Sequence, residues 1–294
     1  MKGCFTALMT PFKNGAIDYA SFEKLIASQI EAGIDGIVPC GTTGESPTLS
    51  HQEHNQVVEF TITQVKNNFN GAVKVIAGTG SNATQESLNL SRHAAKCGAD
   101  GLLVVSPYYN KPSQEGLFHH YKSIIEAVSC EIVIYNIPGR TSVNIDIETF
   151  KRLATLKNFN TVKEATGSID FASKLINAVP TLDVISGNDS LNLPMASIGG
   201  VGCISVLSNL FPKEVKNLFS LYNSGHISEA TSLHHKLLPL TEALFIETNP
   251  VPVKTAAVMM KLLATAEVRL PLVQPSQTVS KRIAAELERL AELK

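Results

Sequence analysis

Residues 100–136 read DGLLVVSPYYNKPSQEGLFHHYKSIIEAVSCEIVIYN. The runs at either end, DGLLVVS and EIVIYN, are apolar almost without alternation. That is the pattern of parallel strands buried on both faces. Parallel neighbours need a long crossover, and the stretch between them supplies an amphipathic one. The unit is therefore strand, helix, strand.

The same unit repeats outward in both directions. Upstream lie CFTALM near residue 4, DGIVPC near 35 and VKVIAG near 73; downstream lie NTVKEA near 160, LDVISG near 182 and GCISVL near 202. Helices fill the gaps. Ser50-His51-Gln52-Glu53 is a capping box opening a helix towards Phe69, and Asn82-Ala83-Thr84-Gln85 starts another that runs to Cys97 and closes at Gly98. Asp146 begins one through Leu156, and Ser168 begins one that ends at Pro180. Eight such units predict an α/β chain of the (β/α)8 TIM-barrel class. A doubly wound sheet usually has fewer strands and wants a glycine-rich first turn. From about Pro212 the pattern is purely helical to Lys294, broken at Ser224-Gly225 and Asn249-Pro250. The expected organisation is a catalytic barrel over 1–224 and a C-terminal helical extension over 225–294.

Composition narrows the function. The 294 residues carry a net charge of −1, and 44% are hydrophobic, so the chain is globular and lacks the basic excess that nucleic acid demands. A unit of that size buries about 75% of its unfolded surface and needs no staple. The five cysteines are odd in number and none forms a C-x-x-C pair, which predicts reduced thiols in a cytoplasmic protein. Pro11 and Lys13 interrupt any signal-peptide core. Residues 190–211 are uncharged, but Pro194 and the glycines at 199, 200 and 202 read as helix, turn and buried strand, not as a membrane span. The expectation is a soluble protein without a membrane partner.

Chemistry in a barrel gathers at the C-terminal strand ends. The second exit, Gly41-Thr42-Thr43-Gly44-Glu45, is either a carboxylate-holding loop or a tight surface turn. The fourth exit carries Tyr108-Tyr109, and adjacent tyrosines are more often packing or interface residues than catalysts. At the fifth, Tyr135 can move protons, and Arg140 can clasp a carboxylate in a bidentate fork. Lys163 lies near the end of the sixth strand and points away from the face of Val162 and Glu164, whereas Lys74 starts its strand at the opposite end. Most lysines are solvated charges; one inside a barrel mouth is desolvated and becomes a nucleophile. The histidines form no H-x-H or H-E-x-x-H, so no metal is expected, and no G-x-S-x-G elbow occurs.

Gly41–Glu45, Tyr135-Asn136-Ile137-Pro138-Gly139-Arg140-Thr141, Lys163 and Asn249-Pro250-Val251-Pro252-Val253-Lys254 together resemble the dihydrodipicolinate synthase family, within the pyruvate-dependent lyases that include N-acetylneuraminate lyase. Pro138-Gly139-Arg140 is the more specific mark, because N-acetylneuraminate lyase has a similar Tyr segment without that arginine. The resemblance implies condensation of pyruvate with L-aspartate-4-semialdehyde through a Lys163 Schiff base, on the way to diaminopimelate and L-lysine, with no cofactor. It implies Tyr135 as proton carrier, linked through Thr42 to Tyr109, the latter reaching across a dimer interface. Thr43 and the main chain at Ile204 would hold the pyruvate carboxylate, and Arg140 would receive the semialdehyde. It further implies a homotetramer built from dimers and feedback inhibition by L-lysine near Ser46, Leu49, His51, His54, Asn82, Glu86 and Tyr108. The other readings are a sugar-acid aldolase and a silent keto-acid sensor; Lys163, Tyr135, Thr42 and Arg140 together argue against the sensor.

Overall fold

The computed structural model describes residues 1–292. Eight parallel strands close into a barrel: β1 (Gly3–Ala7), β2 (Gly36–Val38), β3 (Lys74–Gly78), β4 (Gly101–Val105), β5 (Glu131–Asn136), β6 (Phe159–Glu164), β7 (Asp183–Ser186) and β8 (Gly202–Ser205). Closure is direct, with Phe5 of β1 paired to Ile204 of β8 on one side and to Gly36 of β2 on the other. Eight helices follow them: α1 (Tyr19–Glu31), α2 (His51–Phe69), α3 (Thr84–Cys97), α4 (Gln114–Ala127), α5 (Ile147–Leu153), α6 (Ile169–Ala178), α7 (Asn192–Ser197) and α8 (Pro212–Asn223). The TIM barrel expected from the runs of apolar residues is present.

Two apolar layers explain why those runs lack alternation. Phe5, Val38, Ile76, Leu103, Val133, Ile185 and Ile204 fill the barrel, while Ile132, Ile134 and Val162 face outward into the larger core shared with the helices. Alternate residues of one strand thus meet two different dry environments. The Ser50 capping box forms in full, and Gly98 closes α3 in the left-handed conformation. The start of α3 differs from expectation: Asn82 caps nothing, and Ser81 instead accepts from the amide of Ala83 and donates to Glu86.

Beyond α8 come α9 (Ile227–Ala243), α10 (Val251–Met259) and α11 (Gln277–Glu292), with α9 packed on α8 and α11. The helical pattern expected from Pro212, with breaks only at Ser224-Gly225 and Asn249-Pro250, fails over residues 260–276, which form no helix. Its backbone is committed elsewhere: the Arg269 amide donates to Glu45 Oε2 at 3.1 Å, and the Glu267 carbonyl accepts from Lys254 Nζ at 2.9 Å. Leu293 and Lys294, the end of the 225–294 segment, lie outside the described residues. No helix among the described residues is long and apolar enough to cross a membrane.

Candidate active site

Lys163 sits on β6 at the C-terminal mouth, paired in register with Tyr135 of β5 and Ile185 of β7. It is only 5% exposed. Burial pulls its amine down to about 7, although the carboxylate of Asp189 works in the opposite direction; Arg140 adds to the depression. The β7 exit makes room for it. A Cβ at Gly187 would lie 3.0 Å from Lys163 Cε and 2.8 Å from the Ala165 Cβ, so a side chain there would displace the lysine stem.

Tyr135 is also buried, and its phenol is raised to about 12, mainly by desolvation, with Arg140 and a hydrogen bond to Thr42 acting the other way. Thr42 and Tyr135 thus meet by a side-chain hydrogen bond. The loop that carries Thr42 and Thr43 is held from outside the barrel. Glu45 adopts a left-handed backbone (φ 54°), and its buried carboxylate pairs with the buried ammonium of Lys254 on α10. Burial pulls Lys254 below its ordinary value even with Glu45 beside it. Asn249 Nδ2 donates to Thr43 Oγ1 at 3.0 Å.

Arg140 belongs to the short helical turn Pro138–Thr141 after β5, and its Nη2 donates to the Asn249 carbonyl at 3.2 Å. A cavity of about 330 Å³ opens above, lined by Thr42, Tyr135 and Arg140 together with Ser46 and Tyr108. Its walls bring a hydroxyl, a phenol and a guanidinium together in one concave space. Ile204 is buried on β8, next to β1 and β7.

The remaining predicted residues are distributed differently. Tyr109 is 89% exposed with φ 73°, and the structure does not bring it to Thr42 or Tyr135 of its own chain. His51 and Glu86 approach each other at 3.9 Å on the surface of α2 and α3. His54 is buried with both ring nitrogens unpartnered among the described residues, and burial lowers it to about 4. Leu49 is buried, and the Asn82 carbonyl accepts from Asn110. Ser46 and Tyr108 border the cavity of Tyr135, so the set expected to form a separate site reaches the mouth itself.

Four residues with evident roles in the geometry received none from sequence reading: Glu45, Asp189, Asn249 and Lys254. Asp189 accepts from the amides of Val206 and Leu207 at 2.8 and 2.9 Å. It could have been found by inspecting the seventh strand exit, where it is the first charged residue after β7. The loop residues they hold, Glu45 for Lys254 and Thr43 for Asn249, lie more than 200 positions away, and no local spacing signals them.

Comparison with known proteins agrees with this geometry. A family model described as the dihydrodipicolinate synthetase family matches residues 1–290. A curated relative from Endomicrobium trichonymphae, named 4-hydroxy-tetrahydrodipicolinate synthase, is 48% identical over 293 residues, covering 99% of both chains. The pyruvate complex of the chloride-inhibited dihydrodipicolinate synthase from Acinetobacter baumannii superposes with a TM-score of 0.94 at 39% identity, over 99% of both chains. The lysine-bound enzyme from Cyanidioschyzon merolae gives 0.94 at 36% identity, over 99% of this chain and 98% of its own.

Proposed function

The chain belongs to the dihydrodipicolinate synthetase family, and from that membership we infer that it condenses pyruvate with L-aspartate-4-semialdehyde to give 4-hydroxy-tetrahydrodipicolinate, towards diaminopimelate and L-lysine. The observation that carries the reading is the buried Lys163 amine, lowered to about 7 beside a phenol raised to about 12. At neutral pH a large share of that amine is neutral, with its lone pair free.

The lone pair attacks the pyruvate ketone, and loss of water leaves a protonated imine on Lys163. That cation draws electrons from the adjacent C–H bond, so a methyl proton leaves and an enamine forms. The enamine carbon attacks the aldehyde, whose oxygen takes a proton from Tyr135. The substrate's own amine then displaces Lys163 and closes the ring. The imine is its own electron sink, so the sequence of steps calls on no metal or organic cofactor. Tyr135 is returned to its protonated form through Thr42 and Tyr109, the latter supplied by a second copy of the chain. The 89% exposure of Tyr109 suits that arrangement. Thr43 and the main chain at Ile204 hold the pyruvate carboxylate, and Arg140 receives the semialdehyde at the cavity mouth.

The same reading includes a homotetramer built from dimers in the cytoplasm, a catalytic barrel over 1–224 with its helical extension, and L-lysine as inhibitor through the set containing His54 and Glu86. Borohydride reduction in the presence of pyruvate, followed by peptide mass analysis, tests the core of it. Pyruvate should be trapped on Lys163, and Lys163→Ala should abolish trapping. Trapping at Lys74, or unchanged trapping in the variant, overturns the assignment.

A further inference from the structure

Asn249 joins the two substrate-binding elements of the mouth. Its side-chain Nδ2 donates to Thr43 Oγ1 at 3.0 Å, and its main-chain carbonyl accepts from Arg140 Nη2 at 3.2 Å. The residue is 4% exposed. Asn249 and Pro250 precede α10, whose Lys254 pins the same loop through Glu45. One short segment from outside the barrel thus grips the Thr42-Thr43 loop twice.

We infer that Asn249 is a positioning residue that fixes the hydrogen-bond polarity of Thr43. A hydroxyl has one proton to give and lone pairs to accept with. With Nδ2 donating into Oγ1, the Thr43 proton is directed away from Asn249 and is free to donate to an anionic ligand. A carboxylate is that ligand: it can only accept. This rests on the proposed binding of the pyruvate carboxylate at Thr43, and it assigns a residue that acts on substrate only through another. The main-chain contact to Arg140 is independent of the side chain at 249, so a substitution there separates the two functions.

Asn249→Asp is the sharp variant. It is isosteric, but its carboxylate can only accept, so Thr43 must turn its proton towards position 249 and present lone pairs to the substrate. The measurement is the pyruvate concentration that half-saturates borohydride trapping on Lys163, in four proteins: wild type, Asn249→Asp, Thr43→Val and the double variant. In Asn249→Asp it should rise about tenfold to a hundredfold, the usual cost of a lost hydrogen bond to a charged group. In the Thr43→Val background the same substitution should change it less than about twofold, because the hydroxyl it acts through is gone. A rise of equal size in both backgrounds, which simple charge repulsion would give, overturns the proposal. So does no rise in Asn249→Asp. Should that variant fail to fold, Asn249→Ala is read in the same way, with a smaller rise expected when Thr43 is present and none in the Thr43→Val background. Absence of trapping on Lys163 in wild type is a different result, which removes the Schiff-base reading itself.

Discussion

Lys163 Nζ stands 4.1 Å from the centroid of the Tyr135 ring, and the two residues are register partners on adjacent strands. The ring face would favour an ammonium by about 0.5–2 kcal/mol. Burial outweighs that attraction and lowers the amine to about 7, while the phenol beside it rises to about 12. On the proposed mechanism, the pair would offer a neutral amine as nucleophile and a protonated phenol as proton donor from about pH 7 upward.

The sign of the lysine shift fixes two pH dependences. Imine formation with pyruvate should rise about tenfold per unit below pH 7 and level off above it, since only the neutral amine reacts. Stability should move in the same direction. Between about 7 and 10.5 the unfolded chain binds this proton and the folded one does not, so stability rises with pH through that window. Below 7 the buried charge is a full cost. Lys163→Met should accordingly raise the urea midpoint, by on the order of a few kcal/mol of stability at pH 6 and less at pH 10, while abolishing turnover. A trapping rate that keeps climbing to pH 10 would show an ordinary lysine.

Tyr135→Phe keeps the ring beneath Lys163 and removes the hydroxyl. Turnover should fall by about 10²–10⁴, the range for a positioned acid–base group. Arg140→Ala should leave pyruvate trapping near wild type while steady-state kinetics show impaired use of the semialdehyde, because the proposed mechanism has the lost fork serve the second substrate. Loss of trapping in Arg140→Ala would move the arginine to the first step.

The pair of Lys254 and Glu45 is fully buried, so removal of one partner strands a charge. Lys254→Met should cost about 3–5 kcal/mol by denaturant unfolding, and Glu45→Gln added to it should restore part of the loss. Activity should fall with stability in the single variant, since the same loop carries Thr42 and Thr43. An unchanged denaturation midpoint in Lys254→Met would remove the pair from any structural role.

L-lysine should inhibit the wild-type enzyme, and His54→Ala and Glu86→Ala should each weaken inhibition. The route for coupling is short, because Tyr108 borders the cavity of Tyr135 and Arg140. Inhibition that competes with pyruvate and survives both substitutions would place lysine elsewhere.

What could be read from the chain divides along sequence distance. The strands were legible because burial on both faces makes an unbroken apolar run, and each strand exit then indicates a side of the barrel. The buried position of Lys163 at the mouth was legible from its place near the end of β6, and Lys74, exposed at the start of β3, is set apart by the same rule. The irregular return over 260–276 was not legible, since its conformation answers to Glu45 and Glu53 far upstream; Arg269 makes two bonds to Glu53 at 2.6 and 2.8 Å. Tyr109 shows a different kind of blindness. Adjacent tyrosines do not by themselves reveal how far each is exposed: Tyr108 is 36% exposed at the cavity, whereas Tyr109, with a left-handed backbone, is 89% exposed.

The bond from Asn249 to Thr43 spans 206 positions, and that from Lys254 to Glu45 spans 209. On the ribosome, Thr43 emerges when most of the chain has yet to be made. A nascent barrel with all eight strands complete already carries Lys163, but the loop of Thr42 and Thr43 still lacks both anchors. The shape of that loop is thereby settled late, once the final quarter of the chain has been translated and the segment bearing Asn249 and Lys254 has packed against it.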